Sequence, residues 1–141
     1  MHRCDVLVVT GTSRTSKRSF DMCSRVAQEF GAPDTLLIVG GAPGVDKDME
    51  LIWEGRGFPV WVIKPAWAAP RQLVAWADKA HNSAIVAAAA EYARRGSYVL
   101  SVALQDNDSV GTWDCVTRLK ATGIRVEVRQ VDVKMKEDGS G

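Results

Sequence analysis

No stretch of the 141-residue chain approaches the roughly 18–20 consecutive apolar residues of a membrane span, which excludes a membrane helix. Cysteine is scarce: Cys4, Cys23 and Cys115 form no Cys-x-x-Cys pair, and three thiols cannot all pair within one chain. A reduced intracellular protein is the simplest reading. Histidine is scarcer, and His2 and His81 stand without metal-ligand spacing, so no metal site is expected. An excess of one charge is missing too: 18 Lys and Arg face 17 Asp and Glu, with a pI near 7.7. A surface that grips nucleic acid throughout usually carries a pI above about 9, so nucleic acid is not the first partner to consider. The opening Met1-His2-Arg3-Cys4-Asp5 runs straight into an apolar segment, with no long signal-peptide core and no small-residue cleavage site. A cytoplasmic location is expected, that of the host if the gene is a phage's.

What is present is a folding composition, 46% hydrophobic and 25% charged. The length suits one domain, expected over residues 1–132, with a polar, flexible tail over 133–141. Val6-Leu7-Val8-Val9, Leu36-Leu37-Ile38-Val39, Pro59 to Ile63, and Val99 to Leu104 are short apolar runs rich in β-branched residues. Such runs read as strands buried on both faces. Between them the period changes. Phe20, Cys23, Ala27 and Phe30 recur at helical spacing, as do Val45, Met49, Ile52 and Trp53. Residues 70–95 are helical in composition, with Asn82 placed to cap a fresh helix in mid-segment. Gln105 to Gly111 is rich in turn formers, and a helix then runs to about Thr122 with Gly123 as its C-cap. Arg125 to Val131 alternates charged and apolar residues, the pattern of an edge strand. On periodicity Trp53 and Trp61 belong to the core, whereas Trp76 and Trp113 suit either packing or a site.

Strands separated by helices run parallel, with helices over both faces. The expected fold class is therefore α/β, a Rossmann-like doubly wound sheet of about five parallel strands. Ligands of such sheets bind outside the carboxyl ends of the strands, where the strand order reverses.

Three loops fall there. The first, Gly11-Thr12-Ser13-Arg14, combines a sharp turn, hydroxyls and a cation ahead of a helix N-terminus, which suits an anion. A polar turn with an N-cap is the plainer alternative. The second, Gly40-Gly41-Ala42-Pro43-Gly44-Val45-Asp46, lets backbone approach a phosphate or ribose, and Asp46 is placed either to accept from sugar hydroxyls or merely to cap the helix. The third centres on Ser109, Gly111 and Thr112. Its Asp106, Asn107 and Asp108 suggest a calcium loop, but Val110 falls where that motif needs an oxygen ligand and Thr117 where it needs a glutamate, so it reads as another anion-cradling turn. Asp114 follows in the first turn of the helix. Neither a P-loop nor a G-x-G-x-x-G fingerprint is present. Trp67, after Lys64-Pro65-Ala66, offers a stacking face or simple packing.

Taken together, Gly11-Thr12-Ser13-Arg14, Gly40 to Asp46, Lys64 to Trp67, His81-Asn82 and Ser109 to Asp114 resemble, in order and spacing, the SLOG superfamily of Rossmann-like proteins. That group includes DprA and LOG-like proteins, and the likeness is greatest to its small YspA-like branch, common in bacteria and their phages. The resemblance implies a nucleotide or nucleotide-derived ligand across the strand ends, ADP-ribose-like molecules included, and often a homodimer. It adds Asn82 to the expected ligand-binding residues. It also implies an alternative, N-glycosidase or phosphoribohydrolase action on nucleoside monophosphates, with Asp46 or Asp114 as the working carboxylate. Enzymes of that kind use an arginine on the helix before the fourth strand and a glutamate after the Gly-Thr turn, where this chain has Ser83 or a neighbour and Cys115. Binding without turnover, with no required cofactor, is therefore the expectation, phosphate lying on the first two helix N-termini. Single-stranded DNA binding of the DprA type is a further alternative, which Arg14, Lys17 and Arg18 sustain.

Overall fold

The β-branched runs form a five-stranded, wholly parallel sheet. The computed structural model describes residues 3–13, 16–64, 74–105 and 110–131. In chain order the elements are β1 (Val6–Gly11), α1 (Lys17–Phe30), β2 (Leu36–Val39), α2 (Val45–Gly55), β3 (Val60–Val62), α3 (Val74–Arg94), β4 (Val99–Gln105), α4 (Val110–Ala121) and β5 (Arg125–Gln130). The strand order is β3-β2-β1-β4-β5. Chain order reverses beside β1, which pairs with β2 on one side and with β4 along its full length on the other. This is the doubly wound arrangement, and its switch point lies at the carboxyl ends of β1 and β4.

Alternation along the strands divides the core in two. Leu7, Val9, Leu37, Val39, Leu100, Val102 and Leu104 meet Cys23, Val26, Ala27 and Phe30 of α1 and Met49 and Trp53 of α2. On the other face Val6, Val8, Ile38 and Val99 meet Ile85, Val86 and Ala89 of α3 and Cys115 and Leu119 of α4. Helix α1 opens with a capping box, in which Ser16 Oγ accepts from the Ser19 N–H and Ser19 Oγ accepts from the Ser16 N–H, each at 3.0 Å.

Trp53 anchors the first layer. Fully buried, it stacks edge-on against Phe58 at 5.6 Å between centroids, and its indole N–H donates to the Thr35 carbonyl at 3.2 Å. Trp53→Phe removes that donor and some volume while keeping an aromatic ring. We expect a loss of about 1–3 kcal/mol, readable as a lowered urea midpoint with unchanged slope.

The structure corrects four sequence expectations. Helix α3 runs unbroken through Asn82, so no new helix is capped there; the alanine-rich segment has no glycine or proline to interrupt it. Trp61 is 44% exposed rather than core, because β3 is a three-residue edge strand. Phe20 is exposed, and Ser19 and Val26 complete the buried stripe of α1. Gln105 belongs to β4, where it pairs with Gln130, rather than to the following turn. The edge strand β5 does alternate in burial, and Arg129 ties it to α1 through Glu29 at 2.8 Å. Among the described residues no helix is long and apolar enough to cross a membrane.

Candidate functional site

The loop after β1 is locked between its neighbours by backbone hydrogen bonds. Thr12 N–H donates to the Leu104 carbonyl at 3.0 Å, and Val45 N–H donates to the Thr12 carbonyl at 3.1 Å. The ends of β1 and β4 and the start of α2 thereby meet. Two glycines make this approach possible. A Cβ on Gly11 would lie 2.6 Å from the Leu104 carbonyl oxygen and 2.8 Å from the Val45 side chain. Gly44, the N-cap of α2, has φ +88° and ψ −131°, and a Cβ there would lie 2.5 Å from the Thr12 carbonyl oxygen.

Asp46 is the most perturbed acid of this rim. It does not cap α2 in the manner that one sequence reading supposed. Its carboxylate reaches back to the preceding loop, Oδ2 accepting from the Gly40 N–H at 3.1 Å and the Ala42 N–H at 3.3 Å. The residue is only 8% exposed, and among the described residues Oδ1 finds no hydrogen-bond partner. Burial pushes its pKa up to about 7, against the two N–H donors that favour the charged form. An unpaired buried acceptor costs roughly 1–3 kcal/mol, so its retention calls for a compensating partner. Gln105, at the end of β4, shows the same feature: it is 1% exposed and its Oε1 finds no partner among the described residues.

His81 borders the same loop. Its Nε2 bonds to the Ile63 carbonyl, and its ring stands so close to Gly40 that a Cβ there would meet Cε1 at 2.7 Å and Asp46 Oδ2 at 2.9 Å. Gly41, with positive φ, abuts Val62 and Lys64 in the same way. Thr12 and Thr112 are buried, while Ser13 is exposed. Gly111 and Thr112 lie in the first turn of α4.

Asn82 and Asp114 meet one helix layer away. Asn82 Nδ2 donates to Asp114 Oδ2 at 2.9 Å, and the same oxygen accepts from Arg118 Nε at 2.9 Å. Arg118 also donates to Ser83 Oγ at 3.1 Å, so the cluster joins α3 to α4. Arg118 escaped the sequence reading, although its spacing of four from Asp114 is the signal of a helix-surface pair.

The thiols offer no nucleophile. Burial raises Cys23 and Cys115 to about 12, with Asp46 contributing to both and Asp48 to Cys23; burial raises Cys4 to about 11. Among the described residues no group of three His, Cys, Asp or Glu is placed to hold a metal ion. Arg14, Trp67 and Ser109, together with the side chain of Trp76 and the tail from 133, lie outside the described residues.

Comparison with known proteins gives a likeness of fold. The chain is similar to the X-ray structure of DNA processing protein A (DprA) from Streptococcus pneumoniae, with a TM-score of 0.64 and 13% sequence identity over 89% of this chain. The matched region spans 50% of the DprA chain, so the present chain corresponds to about half of that protein. At that identity the likeness establishes a DprA-like, Rossmann-type fold. No protein-family model and no curated protein matches the sequence.

Proposed function

We propose that the protein binds a nucleotide or nucleotide-derived molecule across the carboxyl ends of β1, β2 and β4. One observation carries this reading: at the switch point of the sheet, the loops after β1 and β2 and the end of β4 converge around glycines that leave no room for side chains, beside buried acceptors that find no partner among the described residues. That combination suits a polar ligand contacted by main chain.

The charge pattern orients the ligand. The first turn of α2 already holds Asp46 and Asp48, whereas the first turns of α1 and α4 contain no acid: α4 starts at Val110, so Asp114 falls in its second turn and not, as the sequence suggested, in its first. An anionic group is therefore best placed toward α1 and α4, where helix dipoles favour it, rather than on α1 and α2 as the sequence alone suggested. Thr12, Ser13, Gly111 and Thr112 are its contacts, with Arg14 and Ser109 joining them on sequence grounds. Gly40, Gly41, Gly44 and Asp46 take the uncharged part, Trp67 or Trp113 offers a stacking face, and Asn82 stands behind with Asp114. A thermal-shift assay across nucleoside mono-, di- and triphosphates and ADP-ribose checks this. We expect stabilisation of about 2–3 kcal/mol equivalent at a hundredfold excess over Kd, reduced by Arg14→Ala. No stabilisation by any member of the panel would contradict the reading.

The position of Asp46 on the pH scale favours a second reading. A buried carboxyl titrating near 7 is suited to general acid or base work, as N-glycosidic cleavage of a nucleoside monophosphate would require. Incubation at high protein concentration should then release free base, detectable by chromatography, and Asp46→Asn should stop it. Single-stranded DNA binding, suggested by the name of the DprA neighbour, is checked by a mobility shift at low salt.

A further inference from the structure

We propose that Asp46 is a specificity-determining residue, whose Oδ1 accepts a hydrogen bond from a donor on the ligand, a sugar hydroxyl or a base amino group. The inference rests on the nucleotide-binding reading and adds to it the chemical feature that is read.

Three observations support it. Asp46 Oδ2 is committed to the Gly40 and Ala42 N–H groups, which orients the carboxyl and leaves Oδ1 without a partner among the described residues. The residue is more than nine-tenths buried, so bulk water does not serve as the default partner. Gln105 Oε1, buried at the end of β4 on the other side of β1, is an acceptor too, and among the described residues it also finds no partner, so each side of β1 holds a buried acceptor open to a donor. A carboxylate and a carbonyl oxygen are satisfied by O–H and N–H groups, which phosphate oxygens do not supply at neutral pH. Sites built around such acceptors reject analogues lacking the donor far more strongly than apolar pockets reject a missing methylene.

With both N–H groups on Oδ2, the proton of the neutral acid sits on Oδ1 and turns that atom toward donating, so donor recognition is coupled to pH. Among the described residues, the titratable groups that approach Asp46 are Cys23 from α1, His81 from α3 beside Gly40, and Cys115 from α4. Both thiols remain neutral across the working range, with pKa values pushed up to about 12. An Asp46→Asn variant keeps every other group of the protein and of the ligand, so the difference between the two proteins isolates Asp46.

The test is calorimetric titration of the full chain and of Asp46→Asn at pH 6 and pH 8. The probes are AMP, 2′,3′-dideoxy-AMP, purine riboside monophosphate (no base amino group) and inorganic phosphate. We expect the wild type to prefer AMP over at least one donor-lacking analogue by about tenfold or more, the affected analogue identifying hydroxyl or amino as the donor. Affinity for AMP should rise about tenfold more between pH 6 and pH 8 in the wild type than in the variant, because Asp46 ionises across that interval. The variant should lose the analogue preference. Equal binding of all three nucleotides by wild type, or an unchanged preference in the variant, overturns this inference and leaves the nucleotide reading standing. Absence of binding by every probe overturns both.

Discussion

Asp46→Asn is expected to make the free protein more stable at pH 8, by as much as about 4 kcal/mol, an increase in Tm on the order of 10 °C. The native pKa of about 7 lies above the value of 3.8 for an unburied aspartate, so the folded state binds the proton more tightly. The contribution of this carboxyl to stability is therefore fully present below about pH 3.8 and is lost as pH rises through about 7. The substituted amide would keep an oxygen for the Gly40 and Ala42 N–H groups without ever carrying charge. The gain should thus shrink steadily on acidification and nearly vanish near pH 3.5. Urea unfolding of both proteins from pH 3.5 to 8 checks this; parallel pH profiles would show that Asp46 ionises freely in the folded protein. A position that forgoes stability for a buried acid is the usual mark of a site kept for function.

Gly44→Ala is expected to destabilise by roughly 3–5 kcal/mol and to remove nucleotide binding. The backbone at φ +88° and ψ −131° is closed to L residues and costs about 1–3 kcal/mol to impose. The added methyl would also lie 2.5 Å from the Thr12 carbonyl oxygen and 2.6 Å from the Ser13 carbonyl carbon. Neither backbone atom can yield without breaking the Val45-to-Thr12 hydrogen bond that holds the first loop to α2. Gly55→Ala is the matched control. Gly55 ends α2 with open space where a Cβ would stand, so the change should be neutral or stabilise by about 0.4–1 kcal/mol. Chemical denaturation of the pair, with nucleotide titration of each, tests both halves; equal stability of the two variants would contradict the packing described for Gly44.

Much of this fold is written locally. Val6 to Val9 and Leu36 to Val39 are too uniformly apolar for a half-exposed strand, and the helices between them force parallel pairing. The glycine-bearing loops after β1 and β2 fall at strand ends for the same reason, so their place on one rim follows from topology alone. What escaped the sequence depends on contacts between distant segments. Trp61 looks like core by alternation, but its exposure depends on β3 being short and at the edge. Asn82 looks like a cap, yet its partner Asp114 is brought to it only by packing of α3 on α4. Nothing near Gln105 announces that it would be buried without a partner, or that His81 would stand against Gly40. The two carboxylates singled out as candidates also differ in a way composition cannot reveal: Asp114 is shared between Asn82 and Arg118, whereas Asp46 keeps one oxygen unpaired.

Amide chemical shifts during titration with a nucleoside monophosphate test ligand binding at the carboxyl edge most directly. Perturbations should concentrate at Gly11 to Ser13, Gly40 to Asp46 and Gly111 to Thr112. Shifts confined to the opposite end of the sheet, around Asp5, Leu36 and Tyr98, or no shifts at saturating ligand, would contradict it.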